Sequence, residues 1–195
     1  VRAPVAFVDA SVLASKTLRE WLFLLRHHTG GGLFVLFSSG DAFADAQFSA
    51  PLEERLRALL NDIVADYPEV PTLQGADEHD TRIHAAAVAS NAIYVIAGDG
   101  RFANVDTDQL PYEVHTADTF LMLVAANVAD AVDTVIHGQL DRARRAEGSK
   151  QPHRALEDAG CPEFAQCVLK HMQSIFKGES TQGIADRLLL EAPAG

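Results

Sequence analysis

The sequence predicts an α/β fold: a three-layer arrangement with a central parallel sheet, followed by a helical C-terminal extension. Three short apolar runs, Val5–Val8, Leu33–Phe37 and Ile93–Ala97, lack the in-out alternation of a half-exposed strand, as strands buried on both faces should. Between them lie amphipathic segments of helical period. The resulting order (strand, helix, strand, helices, strand, helix) places parallel strands in one layered sheet. Beyond about Leu140 the pattern is helical only, so the expected division is residues 1–138 and residues 139–195.

The first strand runs straight into Asp9. Ser15 to His28 then spaces Leu18, Trp21, Leu22, Leu24 and Leu25 as one helical face, with Lys16, Arg19, Glu20 and Arg26 between them. Gly30, Gly31 and Gly32 end that helix. After the second strand, the turn Ser38-Ser39-Gly40-Asp41 opens a helix carrying Ala42, Phe43, Asp45 and Phe48. Leu52 to Tyr67 reads as one amphipathic helix with Leu56, Leu59, Leu60, Ile63 and Val64 on a single face, closed by Pro68 and Pro71. An alanine-rich helix follows from Asp80 to Asn91. The third strand ends in the sharp turn Gly98-Asp99-Gly100, and Glu113–His115 is a fourth strand. Thr116 or Asp118 caps a helix running from Thr119 towards Gly138, and Ala155 to Phe176 forms a helical hairpin.

A hydrophobic fraction of 48% with 22% charged residues predicts a folded chain rather than a disordered one. No apolar run reaches the roughly 18 residues of a membrane span, and no secretory signal is visible, so a cytoplasmic location is expected. Cys161 and Cys167 are too few for a zinc site and read as reduced, structural thiols. A formal net charge of -11 argues against a broad electrostatic grip on nucleic acid. Carboxylates that bind a metal contribute charge of the same sign, so a nuclease is compatible with it.

In open parallel sheets, ligands collect outside the carboxyl ends of the strands. Asp9 follows the first strand, Asp99 follows the third, Asp80 starts the helix before the third, and Asp45 lies one turn into the helix after the second. Four carboxylates sharing one cleft repel one another unless a cation neutralises them. Oxygen donors suit Mg²⁺ or Mn²⁺ better than Zn²⁺, and such an ion can activate water against a phosphodiester. Each acid also has a structural reading: Asp9 and Asp80 as helix caps, Asp99 as a turn residue, Asp45 as a solvated helix residue.

The segments Phe-Val-Asp-Ala-Ser-Val-Leu at 7–13, Asp-Thr-Arg-Ile-His-Ala-Ala-Ala at 80–87 and Gly-Asp-Gly-Arg-Phe at 98–102 resemble the spaced acidic motifs of PIN-domain nucleases. The resemblance is closest to bacterial VapC-type toxins and covers Val5 to about Leu123. Residues 159–165 resemble the C-terminal helical extensions of some bacterial PIN proteins. The resemblance implies a PIN-like fold and a Mg²⁺- or Mn²⁺-dependent endoribonuclease acting on RNA, often a homodimer and often paired with an antitoxin. It implies that Asp9, Asp80 and Asp99 hold the ion, that Asp45 completes the shell, and that Ser11 orients Asp9 or the attacking water. Asp45 stands where the family usually has Glu, with Asp41 competing for that place, and Arg101 stands where an acid commonly precedes the Phe. Lys16, Arg19 and Arg101 are the expected RNA contacts. His79 and His84 are expected as surface or packing residues, Trp21 as core or dimer interface, and Arg142, Arg144 and Arg145 as a solvated face.

Two other functions fit the sequence. One is a catalytically weakened PIN-fold protein that binds RNA or protein. The other is a phosphohydrolase with Asp9 as nucleophile, which Ser11 disfavours because such enzymes usually carry a second acid two positions on.

Overall fold

Val5–Val8 forms β1, and all four of its side chains are buried, because the strand has neighbours on both sides and helices on both faces. The computed structural model describes residues 3–68, 70–98, 100–145 and 150–190, with the side chains of residues 144 and 178–190 left out. From β1 the chain makes α1 (Ala10–Ala14), α2 (Lys16–His28), β2 (Val35–Ser39), α3 (Gly40–Ala46), α4 (Ala50–Leu59) and β3 (Asp62–Val64). Then come α5 (Glu78–Ala89), β4 (Tyr94–Ile96), β5 (Glu113–His115), α6 (Ala117–Asn127), α7 (Ala129–Arg145), α8 (Pro152–Asp158) and α9 (Pro162–Leu190). The strands form one five-stranded sheet in the order β3-β2-β1-β4-β5, and every pairing is parallel. Helices cover both faces, so the α/β layering expected from the sequence is present.

Alternation along β1 divides the core. Ala6 and Val8 join a large cluster with Leu22, Leu25, Phe120 and Ile136, while Val5 and Phe7 join a smaller one with Ile83, Ala86, Ala87 and Val95. Ala86 and Ala87 are fully buried on α5, and both belong to this smaller cluster.

The chain leaves helix at Leu60, so the expectation of a helix through Tyr67 is corrected. Asn61 is the cause. Its backbone N–H donates to the Leu36 carbonyl at 2.8 Å, and its side-chain oxygen accepts the Leu36 N–H at 3.0 Å. Both groups clamp the chain to the edge of β2, and the β-branched Ile63 and Val64 extend there as β3.

A second correction concerns the helix expected from Thr119 to Gly138. It breaks at Val128, and α6 and α7 bend by 116° relative to one another. Thr116 caps α6, its hydroxyl oxygen accepting the Thr119 N–H at 3.2 Å. Asp118 is thereby free for a different task. Its buried carboxylate accepts the N–H groups of Glu163 at 3.0 Å and Phe164 at 2.8 Å, capping the N-terminus of α9. Trp21 meets Phe164 edge-on at 5.1 Å in the core. The division expected at 138/139 falls inside α7, and Leu156, Phe164 and Val168 share one core with β1 and α2. Among the described residues no single helix is long and apolar enough to cross a membrane.

Replacing Asp118 with Ala removes two charge-assisted hydrogen bonds and is expected to cost about 2–4 kcal/mol in urea unfolding. A loss under about 0.5 kcal/mol would show that apolar packing alone seats α9.

Candidate functional site

The parallel order reverses direction between β1 and β4, which makes the carboxyl ends of those two strands the topological switch point of the sheet. Asp9 sits there. Its backbone N–H still donates to the Ile96 carbonyl at 3.0 Å, continuing the β1–β4 ladder to the last residue before α1. Its side chain, 2% exposed as a residue, caps α1: Oδ2 accepts the Ser11 hydroxyl at 2.8 Å and faces the Ser11 N–H at 3.4 Å. A Cβ on Gly98, just past β4, would come within 2.9 Å of the Ser11 Oγ. Glycine there lets the two strand ends close on Ser11.

The other Asp9 oxygen meets a histidine. His79 Nε2 lies 3.2 Å from Asp9 Oδ1, and Nδ1 of the same ring lies 3.4 Å from Asp45 Oδ2. Arg82, one turn further along α5, reaches Asp45 Oδ2 and His79 Nδ1, both at 3.3 Å. A neutral ring donates from Nε2 to Asp9 and accepts from Arg82 at Nδ1; a protonated ring donates to both carboxylates. The Arg82 Nε is buried without a hydrogen-bond partner, so the guanidinium is incompletely satisfied. Asp9, Asp41, Asp45, His79 and Arg82 line a crevice with about 10 Å³ of room, enough for a single water.

Asp80 is buried nearby but turned to other partners. Asp77 caps α5, accepting the Asp80 N–H at 2.7 Å, while Asp80 Oδ2 faces the Asp77 N–H at 3.4 Å as the second half of a capping box. Asp80 Oδ1 faces Arg101 Nη1 and the Phe102 N–H, each at 3.4 Å. Arg101 also donates to Asp77 Oδ2 at 3.0 Å. The hydrogen bond from the Asp80 N–H, with Arg101 beside it, holds the Asp77 carboxyl below the usual range. Arg101 is therefore the internal counter-charge of Asp80, and the carboxylate that the motif would offer to an ion has a protein cation on it.

The remaining expected residues separate clearly. Asp45 shares His79 with Asp9, whereas Asp41 accepts the Tyr67 hydroxyl, which favours Asp45 over Asp41 at this edge. Arg19 donates to the carbonyls of Leu13 and Ala14, both at 3.0 Å, closing the end of α1 instead of reaching outward. Lys16 lines a different groove, between α2, α7 and α8. His84 is a packing residue, 2.7 Å from the Tyr112 hydroxyl, and burial pushes its pKa down. Asp99 and its expected role lie outside the described residues. His79 at the centre of the network was not expected. The signal in the sequence was its position beside Asp80 and one turn from Arg82 on α5.

Among the described residues, no three His, Cys, Asp or Glu side chains gather as a metal-holding group. Mg²⁺ commonly relies on one or two carboxylates, with waters and substrate phosphate completing its shell. The oxygen donors Asp9 and Asp45 fit that demand in kind, while Asp80 is committed to Arg101. No family model matches the chain, and no curated protein or solved structure matches it either.

Burial, and then the bond to Asp41, push the Tyr67 pKa up to about 12. The folded chain thus keeps a proton that the unfolded chain releases near 10. This contribution to stability is complete below pH 10 and is lost as pH rises through about 12. Ultraviolet titration of the parent against Tyr67→Phe isolates this phenol, and Asp41→Asn is expected to move it back towards 10. A Tyr67 that titrates near 10 in the parent contradicts the Asp41 contact.

Proposed function

We propose that the chain is a PIN-type endoribonuclease that hydrolyses phosphodiester bonds of RNA at the Asp9 edge. The observation that supports this reading most is the placement of Asp9: a buried carboxylate at the switch point of a five-stranded parallel sheet, held on one oxygen by Ser11 and offering the other to the crevice shared with Asp45. The acidic motifs of the sequence resemble those of PIN nucleases at these positions. The resemblance behind this reading is to toxins that are often homodimers and often paired with an antitoxin.

Mg²⁺ or Mn²⁺ on Asp9 and Asp45, when bound, supplies water of lowered pKa and positive charge for the phosphate. The protein's own part is positional. Ser11 fixes the rotamer of Asp9 through Oδ2, so that Oδ1 keeps one direction. His79 and Arg82 bring hydrogen-bond donors to the two acids and lessen their mutual repulsion. Arg101 holds Asp80 in place, which fixes the start of α5 and hence His79. Burial of Asp9 strengthens each of these electrostatic interactions.

A second reading has its own observation. His79 on Asp9 and Arg101 on Asp80 give each of the two buried acids a partner from within the chain. That favours a PIN-fold protein that binds RNA or a protein partner without cutting.

A labelled single-stranded RNA of mixed sequence, incubated with the protein and Mn²⁺, separates the two. The ribonuclease reading expects cleavage that chelation stops and that Asp9→Asn lowers roughly 100-fold or more, with the circular dichroism spectrum unchanged. RNA bound but left intact supports the second reading. Full cleavage by Asp9→Asn overturns the site.

A further inference from the structure

We infer that the C-terminal hairpin is a wall of the substrate groove, such that a cavity between Ser11 and the α8–α9 turn takes one nucleoside of a single-stranded RNA and the adjoining basic groove takes its neighbouring phosphates. This rests on the ribonuclease reading above and adds to it where the strand lies.

A cavity of about 330 Å³ opens beside Ser11, the residue whose hydroxyl holds Asp9. Its sheet-edge side is Ala97 and Gly98, past the end of β4. Ser15 and Thr116, the caps of α2 and α6, stand on its rim, and Asp158, Ala159 and Gly160 close it from the C-terminal hairpin. The volume lies at the lower end of small-ligand pockets, which suits one nucleoside rather than a folded segment.

The lining chemistry points the same way. Ser15 Oγ accepts the Leu18 N–H, so its hydroxyl hydrogen is left to donate. Ser11 gives its hydrogen to Asp9 and keeps lone pairs to accept. Donor and acceptor hydroxyls alternate with the small apolar surfaces of Val12, Ala97 and Ala117, the mixture that a ribose and a base edge require. No lysine, arginine or histidine lines this cavity among the described residues, so the cationic side chains that meet a strand lie outside it.

The cations lie next door. A groove of about 200 Å³ carries Lys16, Arg142 and Lys150. It shares two walls with the cavity: Ser15 is followed by Lys16 and Thr17 at the start of α2, and Pro152 and Ala155 precede Asp158 on α8. Arg142 pairs with Glu20 at 3.7 Å and Lys150 pairs with Asp158, both at exposed positions. Exposed pairs of this kind are weak and exchange readily for a phosphate. A strand leaving Asp9 past Ser11 therefore meets a nucleoside-sized cavity and then a row of three cations, on a chain whose net charge is -11.

The test is fluorescence anisotropy of a short labelled single-stranded RNA, without divalent ions so that the strand stays whole, on the full chain and three variants. Asp158→Trp fills the mouth of the cavity and is expected to weaken binding at least tenfold, while Asp158→Ala, which opens the mouth and frees Lys150 from its competing carboxylate, is expected to bind more tightly than the parent. Lys16→Gln with Lys150→Gln is expected to make the fall of log affinity with log salt shallower by roughly 0.7 for each phosphate no longer neutralised. Circular dichroism and thermal melting report folding, and the lysine double variant decides the question if the Trp variant is misfolded. Parent-like affinity in Asp158→Trp together with a parent-like salt slope in the lysine variant overturns the inference. If the parent nonetheless cleaves RNA, the ribonuclease reading stands without it. A parent that neither binds nor cleaves RNA removes both.

Discussion

A carboxylate at the end of a strand buried on both faces must find partners, and the Asp9 edge is arranged around that demand. Desolvation makes a lone buried charge very costly. Ser11 meets one oxygen and His79 the other, and each brings an element with it: α1, which Asp9 caps, and α5, whose first turn carries His79. The same logic repeats at Asp80, where Arg101 and the Phe102 N–H come in from the segment after β4. Phe102 adopts a left-handed backbone, φ 57°, at the point where its N–H turns to the carboxylate. Charge satisfaction thus ties the ends of β1 and β4 to the start of α5, and this places a polar crevice at the switch point of the sheet.

The C-terminal helices belong to the same construction. Phe164 packs on Trp21 of α2, and Asp118 of α6 caps α9, so the hairpin is fixed by apolar contact on one side and by a charged cap on the other. Its turn at Asp158–Gly160 consequently stands opposite Ser11 as part of the same edge. A tail that docks through a buried carboxylate has a defined position, and a defined position is what a wall of a binding groove needs.

What the sequence disclosed follows from how local each determinant is. The unbroken apolar run of β1 and the acid after it were readable because both depend on neighbours within a few residues. β3 was not, because its cause is Asn61 reaching Leu36, a contact 25 positions away that overrides a helical spacing of leucines. His79 was misplaced for a related reason. Its neighbour Asp80 matched an acidic motif, yet the turn of α5 presents the histidine to Asp9 and the aspartate to Arg101. Arg101 stood out as a departure from the motif, and its meaning required the fold: it neutralises the very acid the motif supplies. Arg19 shows the reverse case, a helical cation that the end of α1 claims through two carbonyl oxygens.

The divalent-ion site proposed at the Asp9 edge is spanned by His79. Anomalous diffraction from crystals grown with Mn²⁺ tests it directly. The account predicts a manganese peak at coordination distance, about 2 Å, from Asp9 Oδ1, with the His79 ring displaced from that oxygen. Crystals in which His79 remains on Asp9 at millimolar Mn²⁺, with no peak at this edge, would contradict it.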